Sequence, residues 1–415
     1  MSVTEQISDI IKRIAENKQT DADIQVLQEF LKTDSSQVVQ QLGKYNVNIG
    51  QGQNIHIGDR IYHKWDKEAM RAIIEVIQGR WRRVASITEN DYTQVGYTGI
   101  GFIDEAAKKL TDISQQFMMR YGLKLAFSPN PNQEYFISAG NQTIKRWHKP
   151  KNSWELLQEI PVIGNLDLWF TSVAISPNAQ LFAACKAYQI KIWRLGEANA
   201  LHHLSKTLLS NPFDVSGFDS VTFSPNGKIL AANDNQDIQL WDVITGKEIV
   251  KLSAHKDKVT CIAFYPDNGR ILASCSYDKT IKIWDIDSKK CLNTFVGHRD
   301  AVYTLAFSPD GKKLASGSDD NTIKLWNLNG EKTPQTLRQH GNAVTCLVFS
   351  PNGKTLMSGS NDGTIIEWKI TEKEPQILTE QHRRGVTSIA LSPDGKTLIS
   401  AGRDQTIKIW QRLTG

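Results

Sequence analysis

From about residue 121 onward, apolar and polar positions alternate, and the alternation repeatedly ends on Trp. The segments are TIKRW ending at Trp147, QIKIW at Trp193, DIQLW at Trp241, TIKIW at Trp284, TIKLW at Trp326, TIIEW at Trp368 and TIKIW at Trp410. A period of two is the period of a strand whose side chains point to opposite faces. Ile323 and Leu325 fall on one face, Thr322 and Lys324 on the other. The Trp-to-Trp spacings are 46, 48, 43, 42, 42 and 42. A proline precedes each Trp by 16 to 18 residues, at Pro129, Pro177, Pro225, Pro266, Pro309, Pro351 and Pro393. Most of these prolines stand in Phe-Ser-Pro followed by Asn-Gly or Asp-Gly, the chemistry of a strand running into a tight turn. Each unit therefore reads strand, Pro-Gly turn, strand, turn, Trp-ended strand, loop, fourth strand. In one unit the expected strands are Val302–Phe307, Leu314–Ser318, Thr322–Trp326 and roughly Thr333–Arg338.

Residues 121–415 divide into seven units averaging 42 residues. Four short antiparallel strands at that period make a propeller blade, so the prediction is an all-β seven-bladed β-propeller. The repeated residues resemble those of the WD-repeat β-propeller family. The Trp-Asp dipeptide itself stands only at Trp241-Asp242 and Trp284-Asp285. The resemblance implies a His–Ser–Asp–Trp hydrogen-bond network bracing each blade, and four sets fit it. They are His255, Ser274, Asp278 and Trp284; His298, Ser316, Asp320 and Trp326; His340, Ser358, Asp362 and Trp368; His382, Ser400, Asp404 and Trp410. A Trp N–H and a His ring buried between strands must find partners, and these residues supply them. Counting back from Trp, the first three repeats carry Asn141, Ala187 and Asn235 at the Asp place. Those blades are expected to be less rigid or braced in another way.

Residues 1–83 follow other periods, and predict a small α/β domain of three helices, a β-hairpin and a further helix. Ile7, Ile10, Ile11 and Ile14 lie on one helical face, with Ser2 and Glu5 as a capping box. A second helix is expected from about Ala22 to Leu31 with Ile24, Leu27 and Leu31 inward, and a third over Gln37–Leu42. The period then becomes two at Tyr45, Val47 and Ile49, and again at Ile55 and Ile57, across Gly50 and Gly52. That is a hairpin with a glycine turn. A last helix carries Met70, Ile73, Ile74, Ile77 and Trp81. The phrase KYNVNIGQGQNIHIGDRIY resembles the effector-associated adaptor domains of bacterial, especially cyanobacterial, signalling and conflict systems. The resemblance implies pairing with a like domain on an effector protein; a domain that caps the propeller is the alternative. Residues 84–120 read as a connector.

Composition narrows the chemistry. The 415 residues are 40% apolar and 22% charged, with a net charge of +5. So small a charge over so great a length announces neither nucleic-acid nor membrane binding. Five cysteines without a CxxC argue against a stapled secreted protein or a zinc ribbon. No apolar leader or spanning stretch is present, and the expected compartment is the cytoplasm. His, Ser and Asp four times over invite a hydrolase reading, but four identical triads in one protein make no chemical sense, and no G-x-S-x-G elbow occurs. No phosphate loop or metal-ligand spacing stands out, so neither cofactor nor metal is expected. The lysines of the TIKIW strands read as solvated.

The function expected is a non-enzymatic protein–protein interaction scaffold or adaptor, with a ligand- or peptide-sensing regulatory subunit using the channel as the alternative. On the propeller, the residues just before the bracing Asp form a candidate partner-binding face: Lys186, Asp234, Tyr277, Asp319, Asn361 and Arg403, joined by Trp169, Lys258 and Tyr303 at the start of the first strands. Aromatics mixed with Arg and Asp have the composition of an interface hot spot. On the hairpin, Val47, Ile49, Ile55 and Ile57 would read a partner strand. Only five residues follow Trp410, too few for a fourth strand. Another segment must close the ring, with Leu110–Met118 expected as donor and Trp81–Ile87 as the alternative.

Overall fold

The turns that delimit the strands are built from side chains. In Ser308-Pro-Asp-Gly311 the Ser308 hydroxyl donates to Asp310 Oδ1 at 2.6 Å and accepts from the Lys313 amide at 2.9 Å. The Gly311 amide donates to the Ser308 carbonyl at 2.8 Å with φ at +67°. A Cβ at 311 would lie 2.2 Å from the Tyr265 hydroxyl, so a larger residue is strained by both conformation and contact. The same Ser-to-amide bond recurs at Ser176, Ser224, Ser350 and Ser392. Each such turn fixes the register of the hairpin it closes.

These hairpins assemble into seven four-stranded antiparallel sheets in a computed structural model. It describes residues 10, 13, 20, 22–23, 26–27, 47–49, 55–57, 60–62 and 81–88, and residues 123–412 apart from 141–142, 151–152, 162–169, 187–188, 206–216, 268, 330–332, 371–374 and 379–380. The protein divides into two compact units, residues 1–84 with 410–415 and residues 85–409. The fifth sheet comprises Val302–Phe307, Lys313–Ser318, Thr322–Asn327 and Gln335–Arg338, in sequence order. The first strand of each sheet lies beside the first strands of its two neighbours all the way round. The sheets are therefore blades of a propeller, with their first strands around a central channel.

The core lies between blades. Ile323 and Leu325 of the fifth blade pack with Val344, Phe349 and Trp368 of the sixth, whereas Trp326 packs on the fourth with Ile281 and Ile283. Alternate positions of one strand thus feed opposite interfaces. Leu123, Phe136 and Trp147 of the first blade join Ile399, Ile407 and Ile409 of the seventh, which completes the circle. Burial on both faces corrects the expectation that the strand lysines are solvated. Lys324 and Lys408 are buried, their stems between blades. The Lys324 ammonium reaches Thr336 Oγ1 at 2.9 Å, and that of Lys408 reaches the Gln381 carbonyl.

The seventh sheet comprises Val386–Leu391, Thr397–Gly402, Thr406–Arg412 and, in fourth place, Trp81–Thr88. The ring is closed by a strand from far upstream, which covers the edge of Thr406–Arg412. The donor is the alternative segment, because the fourth place expected for Leu110–Met118 is already taken; residues 110–118 lie outside the described residues. Trp81 accordingly begins a strand and does not end the last N-terminal helix.

Within the N-terminal unit, Ile10 and Leu27 are helical and buried. Thr20 caps the second helix. Its hydroxyl accepts from the Asp23 amide at 3.2 Å, while Asp23 Oδ2 accepts from the Thr20 amide at 2.9 Å. Arg13 pairs with Asp23 at 2.6 Å, and this bond, with the Thr20 amide, pulls the Asp23 pKa down to about 2. The hairpin is one strand richer than expected. Val47–Ile49, Ile55–Ile57 and Arg60–Tyr62 form an antiparallel sheet in that order, so Ile55 and Ile57 lie on the central strand. Val47 stands opposite Ile57, and Ile49 opposite Ile55. The Ser2–Glu5 box, the third helix and the remainder of the last helix lie outside the described residues.

Candidate functional site

In the last four blades the bracing Asp directly follows a face residue in the sequence. In the fifth blade His298 Nδ1 contacts Asp320 Oδ2 at 2.9 Å and Nε2 contacts Ser316 Oγ at 2.7 Å, while Trp326 Nε1 donates to the same Oγ at 2.8 Å. Asp320 also accepts from the Arg299 amide and from the Thr322 amide and hydroxyl. Burial alone would raise the carboxyl's pKa, but these bonds, His298's foremost, hold it well below the ordinary range. The fourth blade repeats the pattern at 2.9, 2.8 and 2.9 Å. In the seventh, His382 contacts Asp404 at 3.0 Å and Ser400 at 2.9 Å. The sixth varies it: His340 Nδ1 faces Thr364 Oγ1 at 2.9 Å, and Asp362 is 3.5 Å away. The four serines are 0% exposed, so none of these sets can present a nucleophile to a substrate.

The first three blades differ by one residue. Ser138, Ala184 and Ala232 occupy the Ser place by register, five residues before Thr143, Gln189 and Asp237; in the fifth blade Ser316 lies six before Thr322. The shorter hairpin leaves no Asp place, and counting back from Trp concealed this. Blade one keeps the Trp147–Ser138 bond at 2.9 Å. Blade three uses buried Asn233, which accepts from the Asp219 and Ser220 amides and donates to the Val259 carbonyl of blade four, all at 2.8 Å. Asn235 sits in the two-residue turn with φ at +55°. Asn141 and Ala187 lie outside the described residues.

The residue before each bracing Asp is tied to the start of the first strand. Amides of Tyr277, Asp319, Asn361 and Arg403 donate to carbonyls of Lys258, Ala301, Ala343 and Gly385 at 2.9–3.0 Å. This backbone link gathers most of the expected face residues at one end of the channel. Tyr277 and Tyr303 meet edge to face, their ring centroids 5.9 Å apart. Burial raises the Asp319 pKa, with Asp300 adding repulsion, while a hydrogen bond from Tyr303 works against them. Lys258 pairs with Asp219 at 2.8 Å, and Asp234 with Lys251 at 3.0 Å. Lys186 lies over the Phe170 ring at 5.8 Å. Asn361 packs on Gly385, where a Cβ would come within 2.3 Å of the Asn361 Oδ1. Trp169 lies outside the described residues.

Sequence reasoning missed the channel wall. One residue per blade lines it: Lys124, Thr171, Asp219, Thr260, Tyr303, Thr345 and Thr387, around a space of about 560 Å³ open to solvent. Five of these sit at β-bulges, where the first strand carries an extra residue against the second. A bulge re-aims one side chain. The threonine hydroxyls donate to the next blade: Thr171 to the Phe218 carbonyl at 2.6 Å, Thr345 to Val386 at 2.7 Å, Thr387 to Leu123 at 2.8 Å, and Thr260 to Val302 likewise. The first blade has no bulge, and Lys124 reaches the wall there. The recurring Val-Thr or Val-Tyr was a legible signal; the bulge that turns it inward was not.

Among the described residues no group of three or more His, Cys, Asp or Glu could hold a metal ion, and no helix is long and apolar enough to cross a membrane. Burial pushes the Cys185 thiol up to about 12 and the Cys346 thiol to about 11, as for small apolar core residues. Cys291 differs, being exposed on a fourth strand.

Seven four-stranded blades, the last four braced through His, Ser, Asp and Trp, give the protein the fold of a WD-repeat β-propeller. Residues 206–242, 246–285, 289–327, 331–369 and 373–411 each match the WD domain, G-beta repeat. Residues 1–77 match effector-associated domain 10. No curated protein is similar enough in sequence to stand as a relative.

Proposed function

We propose that this protein is a non-enzymatic adaptor, whose propeller face recognises one protein partner while residues 1–83 recruit an effector in a bacterial signalling or conflict pathway. The observation that carries the reading is the coupling, in one polypeptide, of an effector-associated domain to a propeller whose channel end gathers Tyr277, Tyr303, Asp319 and Arg403. A face of aromatics and desolvated charges is suited to a protein surface. On the N-terminal side, the three-stranded sheet has two short edges, Val47–Ile49 and Arg60–Tyr62, that can take an added strand from a partner. Val47 and Ile49 would then meet the partner directly, with Ile55 and Ile57 one strand behind. The test is to use residues 1–80 and 81–415 separately as bait. The adaptor reading expects two different sets of captured proteins. Capture of everything by 81–415 and nothing by 1–80 would reduce the N-terminal domain to a cap.

A further inference from the structure

We infer that the mouth of the propeller channel takes a carboxylate carried by a protein segment, held by the Lys124 ammonium and favoured by the charge of Arg403. The inference rests on reading this face as the one that meets a partner, and it states what chemistry the partner brings. Most hydrogen-bond donors of the wall are already spent. Each threonine hydroxyl has a single hydrogen, and those of Thr171, Thr345 and Thr387 go to carbonyls of the next blade. The Tyr303 hydroxyl goes to Asp319. Lys124 is different. Its ammonium carries three N–H donors, and its one hydrogen-bond acceptor among the described residues is the Thr387 carbonyl, at 3.3 Å.

Charge points the same way. Lys124 forms no ion pair among the described residues, and burial in the channel pushes its pKa down, a cost that an incoming anion offsets. Arg403 forms none either, and its Nε and Nη2 are buried without hydrogen-bond partners. Burial lowers its pKa as well, and it repels Lys124 weakly. Two cations with no ion-pair partner among the described residues, only partly offset by Asp219, make a positive field at one side of the mouth. The acidic wall residue, Asp219, is already paired with Lys258 at 2.8 Å, so a cationic guest would have to compete with that lysine. A guest with a single negative charge suits one ammonium; a dianion would meet Asp219 and Asp319 around the same opening. The carboxylate can be an Asp or Glu side chain or the C-terminus of a polypeptide.

The experiment is selection of random seven-residue peptides on the full-length protein, in two arms. In one the peptides end in a free carboxylate; in the other they are anchored through an amidated C-terminus. The account expects enrichment of a fixed acidic position in the amidated arm if a side chain enters, or enrichment confined to the free-carboxylate arm if a terminus does. Lys124→Met should weaken the selected peptides by roughly tenfold to a hundredfold, the worth of a charge-assisted hydrogen bond, without lowering the melting temperature. Arg403→Gln should weaken them less. Enrichment in the amidated arm of peptides without an acidic residue, or equal binding by Lys124→Met, overturns the inference and leaves the face as a recognition surface. No enrichment on the wild-type protein in either arm overturns both.

Discussion

Asp320 accepts four hydrogen bonds from one loop and one strand, so its removal strands a His ring, a hydroxyl and two amides at once. Asp320→Ala should cost about 3 kcal/mol of stability. Asn235→Ala should cost about 1 kcal/mol, because what Asn235 contributes is tolerance of a left-handed backbone. Equal losses of melting temperature would contradict this division. The same carboxylates give the propeller an acid limit. Asp278, Asp320, Asp362 and Asp404 all have pKa values depressed in the fold, with hydrogen bonds from His overcoming burial. A depressed folded-state pKa means stability that is complete above the unfolded value near 4 and is lost as pH falls below it. Melting temperature should therefore drop steeply below about pH 4, and Asp320→Asn, lower at neutral pH, should show a shallower drop. A variant curve parallel to the wild type would assign the acid limit elsewhere.

At the scale of elements, the closing strand is the sensitive part. Thr406–Arg412 has Trp81–Thr88 as its outer neighbour, and without it presents an open edge. A polypeptide beginning at residue 81 should fold and melt near the full-length protein; one beginning at residue 89 should melt lower and aggregate. Identical melting of the two would mean that this strand contributes nothing. Much of the element pattern was legible. Val302–Phe307 is the strand the alternation predicts, because Val, Leu and Phe recur up to a Ser-Pro-Asp-Gly turn whose hydrogen bonds are all local. The closing strand was harder, because the pairing of Trp81–Thr88 with Thr406–Arg412 leaves no local trace in either segment. The one-residue deletion in the first three hairpins was hidden for a related reason. Strands count from their cross-strand partners, not from the next Trp. The bulges escaped because they break the very alternation used to find the strands.

On the scale of the whole molecule, the bracing and the inter-blade threonine bonds tie the blades into one ring, and the proposed partner face lies at its channel end. Tyr303 belongs to both parts, lining the channel and packing on Tyr277. Tyr303, Tyr277 and Arg403 were legible as candidates from their place before or beside the bracing Asp. Lys124 was not, since only the missing bulge of the first blade brings it to the wall. The most direct test of the adaptor account is quantitative mass spectrometry of the proteins that co-purify with three tagged full-length proteins. These are the wild type, Tyr303→Ala with Arg403→Ala, and Val47→Pro, which denies the edge strand a backbone donor. The account predicts that the face variant loses one set of proteins, that the edge variant loses another, and that each keeps what the other loses. Loss of the same proteins by both variants, or of none by either, would contradict it.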